Sequence, residues 1–213
     1  KIMGRTSDAK QRLMDAIIEL VWTGSYGKTT IDLICEKAEV KKGSFYYFFD
    51  SKTDLIVTAI RDSWEHIYRP KMDGIFSASV NPLERLKRQA DLTYEEQEAK
   101  YKQYGHVLGC PLFTLGNEIS TQEQELRDLI DQILSTQVRY LETALRDAAA
   151  MKLIHCPDPA FMARTLFLYE EGALAEARIK NDISLLKELW PSVQKLLGIA
   201  PPPAVKTSAR KAA

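Results

Sequence analysis

Residues 29–54 read TTIDLICEKAEVKKGSFYYFFDSKTD, and this stretch decides the fold. Thr29-Thr30-Ile31-Asp32 is a capping-box-like helix start, with Asp in place of the usual Glu. From a start at Thr29, Ile31, Ile34, Cys35 and Ala38 fall on one inner face. A tight turn is predicted around Glu39–Val40, then a very short helix from Gly43 to Phe48. Ser51-Lys52-Thr53-Asp54 repeats the start signal and opens a longer helix, about Lys52 to Arg69, with Leu55, Ile56, Ala59, Ile60, Trp64 and Ile67 turned inward. A helix of about ten residues, a tight turn and a second short helix make the helix-turn-helix outline.

The same periodicity continues on both sides. Upstream, Leu13, Ala16, Ile17, Leu20 and Val21 form one apolar stripe, with Ser7 as the predicted cap, Asp8 in the first turn and Gly24 as the stop. Downstream, Pro70 to Asn81 is the first plausible boundary, and Asn81-Pro82 signals a helix running to about Tyr104. After a break at Gly105–Pro111 comes a short helix from Pro111 to Ile119. Ser120-Thr121-Gln122-Glu123 then caps a long helix with Leu126, Ile130, Ile133, Leu134, Leu141 and Leu145 inside. The loop His155–Pro159 leads into a helix through Ile179. A last helix, Asp182 to about Leu197, is expected to kink at Pro191. The basic tail beginning at Pro201-Pro202-Pro203 has nothing to bury and is expected to be mobile. The fold class is therefore all-α.

The second short helix carries Lys41, Lys42, Gly43, Ser44, Tyr46 and Tyr47, with Phe45, Phe48 and Phe49 as apolar partners. Lysines neutralise phosphates, and Ser and Tyr hydroxyls reach phosphates or base edges. Gly43 removes a side chain where a helix N-terminus would lie close to DNA. Any three-helix bundle also shows lysines and tyrosines at its surface, so these residue types alone leave both readings open.

The run Gly43-Ser44-Phe45-Tyr46-Tyr47-Phe48-Phe49-Asp50-Ser51-Lys52, with Gly27-Lys28-Thr29-Thr30, Val40-Lys41-Lys42 and Thr53-Asp54-Leu55 in register, closely resembles the TetR family of regulators. The resemblance covers the first sixty or so residues. It implies that Thr29 and Thr30 contact phosphates, that Lys42, Gly43, Ser44 and Tyr47 face the groove, and that Tyr46 and Lys52 are phosphate anchors. Two positions depart from the pattern: Lys41 stands where a Ser cap is common, and Phe48 where a His is common.

Beyond that point the resemblance weakens. Glu170-Glu171-Gly172-Ala173-Leu174-Ala175-Glu176-Ala177-Arg178 resembles the family's penultimate helix, and its small residues would let two copies pack into a four-helix interface. Glu170, Glu171 and Glu176 suit solvated or pocket-lining acids better than carboxylate catalysis. Leu108-Gly109-Cys110-Pro111-Leu112 resembles the sixth helix start of an electrophile- and oxidant-responsive subgroup. A thiol at a helix N-terminus gains thiolate character, while a free Cys is most often a small buried hydrophobe; Cys110 keeps both readings. Cys35 reads as core packing and Cys156 as a loop bystander. The effector pocket is expected from Trp64, Tyr94, Tyr101, Phe113 and Tyr169, with Gln97 and Asn117 as polar contacts beside Cys110.

Composition excludes several classes. The 213 residues hold 29 basic and 29 acidic side chains, and Lys1–Asp54 nets only +1, so charge gives DNA binding weak support. Three cysteines, an odd number and widely spaced, argue against a disulfide framework and for a reducing compartment. No apolar run could span a bilayer. His66, His106 and His155 lack metal-ligand spacing and there is no phosphate-cradling glycine loop, so neither an enzyme, a metal site nor a cofactor is expected. The expected molecule is a cytoplasmic homodimeric repressor: a helix-turn-helix domain at 1–50, a ligand-binding and dimerising domain at 51–199, and a mobile tail at 200–213. Its partners would be a palindromic double-stranded DNA operator and a small-molecule effector. The rival reading is a thiol-dependent small-molecule scavenger using Cys110.

Overall fold

The computed structural model describes residues 3–119 and 123–200, with side chains from Asp8 onward. All regular elements among them are helical: α1 (Met3–Thr23), α2 (Ile31–Lys37), α3 (Lys42–Phe48), α4 (Lys52–Ser63), a π turn (Trp64–Tyr68), α5 (Arg69–Ile75), α6 (Pro82–Tyr104), α7 (Pro111–Ile119), α8 (Gln124–Ala150), α9 (Pro159–Lys180), a 3-10 turn (Ile183–Glu188) and α10 (Leu189–Leu196).

Local chemistry sets most boundaries. α1 starts at Met3, so Ser7 lies within it rather than capping it. The α2 cap falls one residue later than expected: Thr30 Oγ1 accepts from the Leu33 amide at 3.2 Å. Glu39, with φ at 54°, occupies the left-handed position of the turn, and the Val40 amide closes it on the Cys35 carbonyl at 2.9 Å. Ser51 caps α4 through the Asp54 amide, and Asn81 caps α6 through the Leu83 amide, both at 3.0 Å. The capping residues Ser120–Gln122 and the tail 201–213 lie outside the described residues; Glu123 makes no side-chain cap for α8.

Two prolines behave differently from expectation. Pro70 does not end a helix, because the preceding π turn bonds the Arg69 amide to the Trp64 carbonyl five residues back, and the chain stays helical to Ile75. The widened turn advances the helix phase, and Ile67, expected inside, is 50 % exposed. Pro191 makes no mid-helix kink: a 3-10 turn precedes it, and it sits in the first turn of α10, where a missing N–H leaves no bond unmade.

One core joins the head to the body. Leu13, Ile17, Ile34, Phe45, Leu55 and Ile56 from α1–α4 pack in a single cluster with Leu115 and Ile119 of α7 and Leu126, Ile130 and Ile133 of α8. Each such side chain contributes about 1.5–3 kcal/mol on full burial. A second cluster unites Leu86, Leu141, Leu145 and Leu166, and a third Val107, Leu174, Ala177, Leu186 and Leu189. Between the first cluster and α6 and α9 lies a cavity.

Candidate DNA-reading face and ligand cavity

α3 is held by its phenylalanines and presents its polar side outward. Phe45 and Phe49 are buried, and Phe48 packs half-buried against the same core. Lys41, Lys42, Gly43, Tyr46 and Tyr47 are exposed, Tyr47 at 75 %, and Ser44 is half-buried. Lys41 stands at the N-cap and makes no side-chain cap, in keeping with the missing Ser. The Lys42 ammonium pairs with Asp32 Oδ1 at 2.7 Å, which raises its pKa. Gly43 has a negative φ and nothing within 4 Å of an added Cβ, so packing within the chain gives no reason for glycine there.

Two of the inferred phosphate contacts, Thr29 and Lys52, have partners within the protein. Thr29 is only 4 % exposed, and its hydroxyl donates to the Ser25 carbonyl at 2.7 Å. The Lys52 ammonium donates to the carbonyls of Tyr26 (2.8 Å) and Thr29 (3.0 Å) and lies 3.9 Å from the Tyr26 ring centre. Burial lowers its pKa against the opposing pull of Glu123 and Glu118. Lys52 is therefore a brace between α4 and the 25–29 loop.

Glu118, at the end of α7, grips the same loop. Its Oε1 accepts from Ser25 Oγ and the Gly27 amide, each at 2.7 Å, and its Oε2 from the Tyr26 amide at 3.1 Å. Partial burial pushes its pKa up, but these donors and Lys52 outweigh it and leave it lowered. A Cβ on Gly27 would meet Glu118 Oε1 at 3.2 Å, so this clamp favours glycine there. Glu123 reaches the same region, accepting from Thr53 Oγ1 at 3.2 Å.

The cavity, of about 160 Å³, is walled by Val21 and Trp22 of α1, Ile56 and Ile60 of α4, Trp64 and Tyr68 of the π turn, Gln89, Thr93, Glu96 and Gln97 of α6, Cys110, Leu112 and Leu115 at α7, and Glu170 and Glu171 of α9. Of the expected liners, Trp64, Gln97 and Cys110 are present. Gln97 contributes little free polarity: it donates to the Gly109 carbonyl at 3.1 Å and accepts from the Leu108 and Gly109 amides at 3.2 and 2.9 Å. It thereby pins a turn whose Gly109 has φ at 69°. Trp22 Nε1 donates to the same carbonyl at 3.0 Å.

The other expected liners are elsewhere. Tyr94, Tyr101 and Tyr169 pack on the third core cluster, Tyr94 and Tyr169 one helical position from cavity-lining Thr93 and Glu170, and the Tyr94 hydroxyl donates to Glu98. Phe113 is outside the cavity wall and Asn117 is exposed. Sequence reasoning missed Tyr68 and Met72, which the π turn and the helix continued past Pro70 bring inward. It did not commit to Glu170, which follows Tyr169 by one residue, or to Glu171.

Cys110 opens α7, and its sulfur accepts from the Phe113 amide at 3.4 Å. That N-terminal position favours thiolate, yet burial and nearby Glu171 outweigh it and push the thiol well above its ordinary pKa. Of the two readings of Cys110, this direction favours the small apolar filler over the thiolate. Burial, then Glu170, push Glu171 up to about 7, the Cys110 hydrogen bond opposing. Glu170 is also raised by burial, against hydrogen bonds from Thr93 Oγ1 (2.5 Å) and Gln89 Nε2 (3.3 Å). Burial, assisted by Glu96, pushes Tyr68 up to about 12.

The small-residue face of α9 also needs correction. Ala177 is fully buried within its own chain and Ala173 packs on the third cluster, so neither is free to meet a second copy. The outward stripe consists of Phe161, Leu168, Gly172, Ala175 and Ile179, with Ile179 at 85 % exposure.

Comparison with known proteins places this geometry among regulators. The family model for bacterial regulatory proteins of the tetR family matches residues 13–59, and that for the tetracyclin repressor-like C-terminal domain matches residues 82–193. An uncharacterized HTH-type transcriptional regulator in the lacX 3'region of Lactococcus lactis subsp. lactis is 26 % identical, over 84 % of this chain and 88 % of its own. Transcriptional regulator AcuR of Cereibacter sphaeroides is 28 % identical, over 81 % and 77 %. The HTH-type transcriptional repressor NemR of Escherichia coli is 22 % identical over 89 % and 94 %. The crystal structure of its reduced form superposes with a TM-score of 0.77, covering 92 % of this chain and all of that one. No described helix is long and apolar enough to cross a membrane.

Proposed function

Because the chain belongs to the TetR family of bacterial regulatory proteins, as a DNA-binding transcriptional regulator and not an enzyme, we propose that it is a cytoplasmic repressor. It holds a palindromic operator as a homodimer and releases it when a small molecule fills the cavity. Residues 1–50 form the reading head and 51–199 the sensing and dimerising body. The observation that carries this reading is α3: a helix anchored by buried Phe45 and Phe49 that turns Lys42, Gly43, Tyr46 and Tyr47 to solvent. The open space around Gly43 supports close approach by a duplex backbone. Tyr46 and Thr30 supply the phosphate contacts, while Lys42 and Tyr47 face the groove. Lys42 must exchange Asp32 for the duplex to do so.

The apolar stripe of α9 supports the homodimer. Phe161, Leu168, Gly172, Ala175 and Ile179 recur at helical spacing on one outward face, as two copies packing about a twofold axis require. The name of the NemR relative supports repression as the sense of control. Release is a population shift in which the ligand favours a spread of the heads that no longer matches successive major grooves.

The test is selection of bound duplexes from a random-sequence pool, followed by footprinting and sedimentation of the protein. The expected result is a palindrome with half-sites about one helical turn apart, or a multiple of it, bound by a dimer, with Tyr47→Ala changing base preference. A monomer that binds tightly, or no enriched sequence, overturns the reading.

A further inference from the structure

The cavity is rich in acceptors and poor in charge-balancing donors. Among the described residues, no Lys, Arg or His lines it, whereas Glu170 and Glu171 project into one wall. Glu171 is 5 % exposed, and a single thiol, that of Cys110, is its side-chain partner. Gln89 donates its amide to Glu170, which fixes the amide's orientation and leaves Gln89 Oε1 buried with no partner. Glu170 is held by Thr93 and Gln89, whereas Glu171 has only the thiol and Gln89 Oε1 has nothing, and no cation in the cavity wall balances either carboxyl. The opposite walls are hydrocarbon and ring: Ile60, Trp64, Leu115.

We propose that this cavity selects a small hydrophobic amine, its protonated nitrogen held by Glu170 and Glu171 and its hydrocarbon seated against Ile60, Trp64 and Leu115. This ligand class rests on the reading of the cavity as the effector site. An anionic ligand would enter beside two uncompensated acids in a low-dielectric wall. A neutral hydrocarbon would leave the acceptors unsatisfied. An ammonium supplies donors and charge together. Size follows from volume: 160 Å³ is close to the engineered cavity of about 150 Å³ that admits benzene, so the occupant is about one six-membered ring with a short arm.

The arrangement also links binding to protons. Glu171 sits near 7 in the empty cavity, so a bound cation expels its proton and affinity rises with pH through that range. The other groups facing it are Glu170 on α9, Glu96 on α6 (paired to Lys71 at 2.8 Å), Cys110 before α7 and Tyr68 in the π turn. Cys110 and Tyr68 are pushed up and stay neutral, so the carboxyls alone carry the dependence.

The experiment is calorimetric titration of the full chain with benzylamine, cyclohexylamine, benzyl alcohol and benzoate, at about pH 8 and about pH 6. Both amines should bind at least about tenfold tighter than the alcohol, with benzoate absent, and weaken by up to about tenfold per pH unit below 7. Glu171→Gln and Glu170→Gln should each abolish most of that preference, lowering amine affinity far more than alcohol affinity. Benzoate or the alcohol matching the amines, no binding by either amine, or amine binding indifferent to both substitutions overturns the inference. A duplex recovered by selection separates this from the regulatory reading. Amine binding that depends on Glu171 but does not release the duplex upholds the ligand class and defeats effector release. Failure to bind any duplex defeats the regulatory reading and leaves the titrations to judge the cavity.

Discussion

Glu171→Gln should make the folded protein more stable, and only at neutral to alkaline pH. The carboxyl is 5 % exposed and lifted from 4.5 to about 7, first by burial and then by Glu170. An acid whose folded pKa lies above its unfolded value binds its proton more tightly when folded. Between 4.5 and 7 folding therefore takes up a proton, and stability falls as pH rises; above 7 the penalty is complete. At 1.36 kcal/mol per pKa unit the ceiling is about 3 kcal/mol. Glutamine keeps the shape and cannot ionise. Urea unfolding followed by circular dichroism, at fixed protein concentration, should give the variant up to about 3 kcal/mol at pH 8 and no advantage below pH 4.5. Thermal midpoints at pH 8 should rise by roughly 6–12 °C. Equal or lower stability at pH 8, or a gain that persists undiminished in acid, would refute the placement of this carboxyl in a dry wall. Because Glu170 helps to raise Glu171 and the two acids titrate together, Glu170→Gln should lower the pH at which the penalty is complete and shrink its size.

Glu118→Ala removes three hydrogen bonds to the 25–27 loop and should cost about 1–2 kcal/mol after discounting for exposure. Since its pKa is lowered, that contribution is present above the unfolded carboxylate range and vanishes as pH falls through the folded value, so wild type and variant should converge in acid denaturation. Lys52→Met strips donors from the Tyr26 and Thr29 carbonyls and should lose about 1–2 kcal/mol in urea unfolding; an equally stable variant would mean that the brace is not structural. Arg85→Met should cost about 3–5 kcal/mol, read as a lowered melting point. The 3 % exposed guanidinium holds Asp147 at 2.6 Å and the Val80 carbonyl at 2.8 Å, and half-exposed Asp147 regains water, favouring the lower end. Ile179→Asp should leave the melting of the fold intact and shift sedimentation from dimer to monomer, whereas an unchanged dimer would move the interface off this stripe.

The apolar stripes and caps made the helices legible, because Leu13 to Val21, Ile31 to Ala38 and Leu126 to Leu145 each repeat at one helical period and Asn81-Pro82 marks a start chemically. The cavity was legible only where resemblance pointed, at Trp64, Gln97 and Cys110. Tyr94 and Tyr169 were chosen for their rings, yet each lies one residue, about 100° of rotation, from a cavity-lining neighbour, Thr93 and Glu170; Tyr101 lies one turn past Gln97, the last residue of α6 in the wall. Helical periodicity fixes which residues share a face but not which of two apolar faces borders a void. The π turn was invisible for a different reason. It inserts one residue of phase that no side-chain pattern announces, so Pro70 read as a stop and Ile67 as core. The contacts of Thr29 and Lys52 within the chain were not legible, because a hydroxyl and an ammonium suit a phosphate and a carbonyl equally well.

Two helices run from the cavity to the reading head, and they converge on one loop. α7 begins beside the cavity wall at Pro111, Leu112 and Leu115 and carries Glu118, near its end, on the amides of Tyr26 and Gly27. α4 lines the cavity with Ile56 and Ile60, continues into Trp64, and begins with Lys52 on the carbonyls of Tyr26 and Thr29. The Tyr26 hydroxyl lies 3.1 Å from Thr53 Oγ1, closing the junction. From Lys52 to Trp64 the helix spans about 18 Å, so displacement at the cavity end is carried to the loop by a stiff element. The loop leads directly into Thr30, the cap of α2, and α2 packs on α3. Anything in the cavity that moves α4 and α7 together carries the loop with them. Anything that separated them would pull Glu118 against Lys52 across Tyr26, whose amide the one holds and whose carbonyl the other.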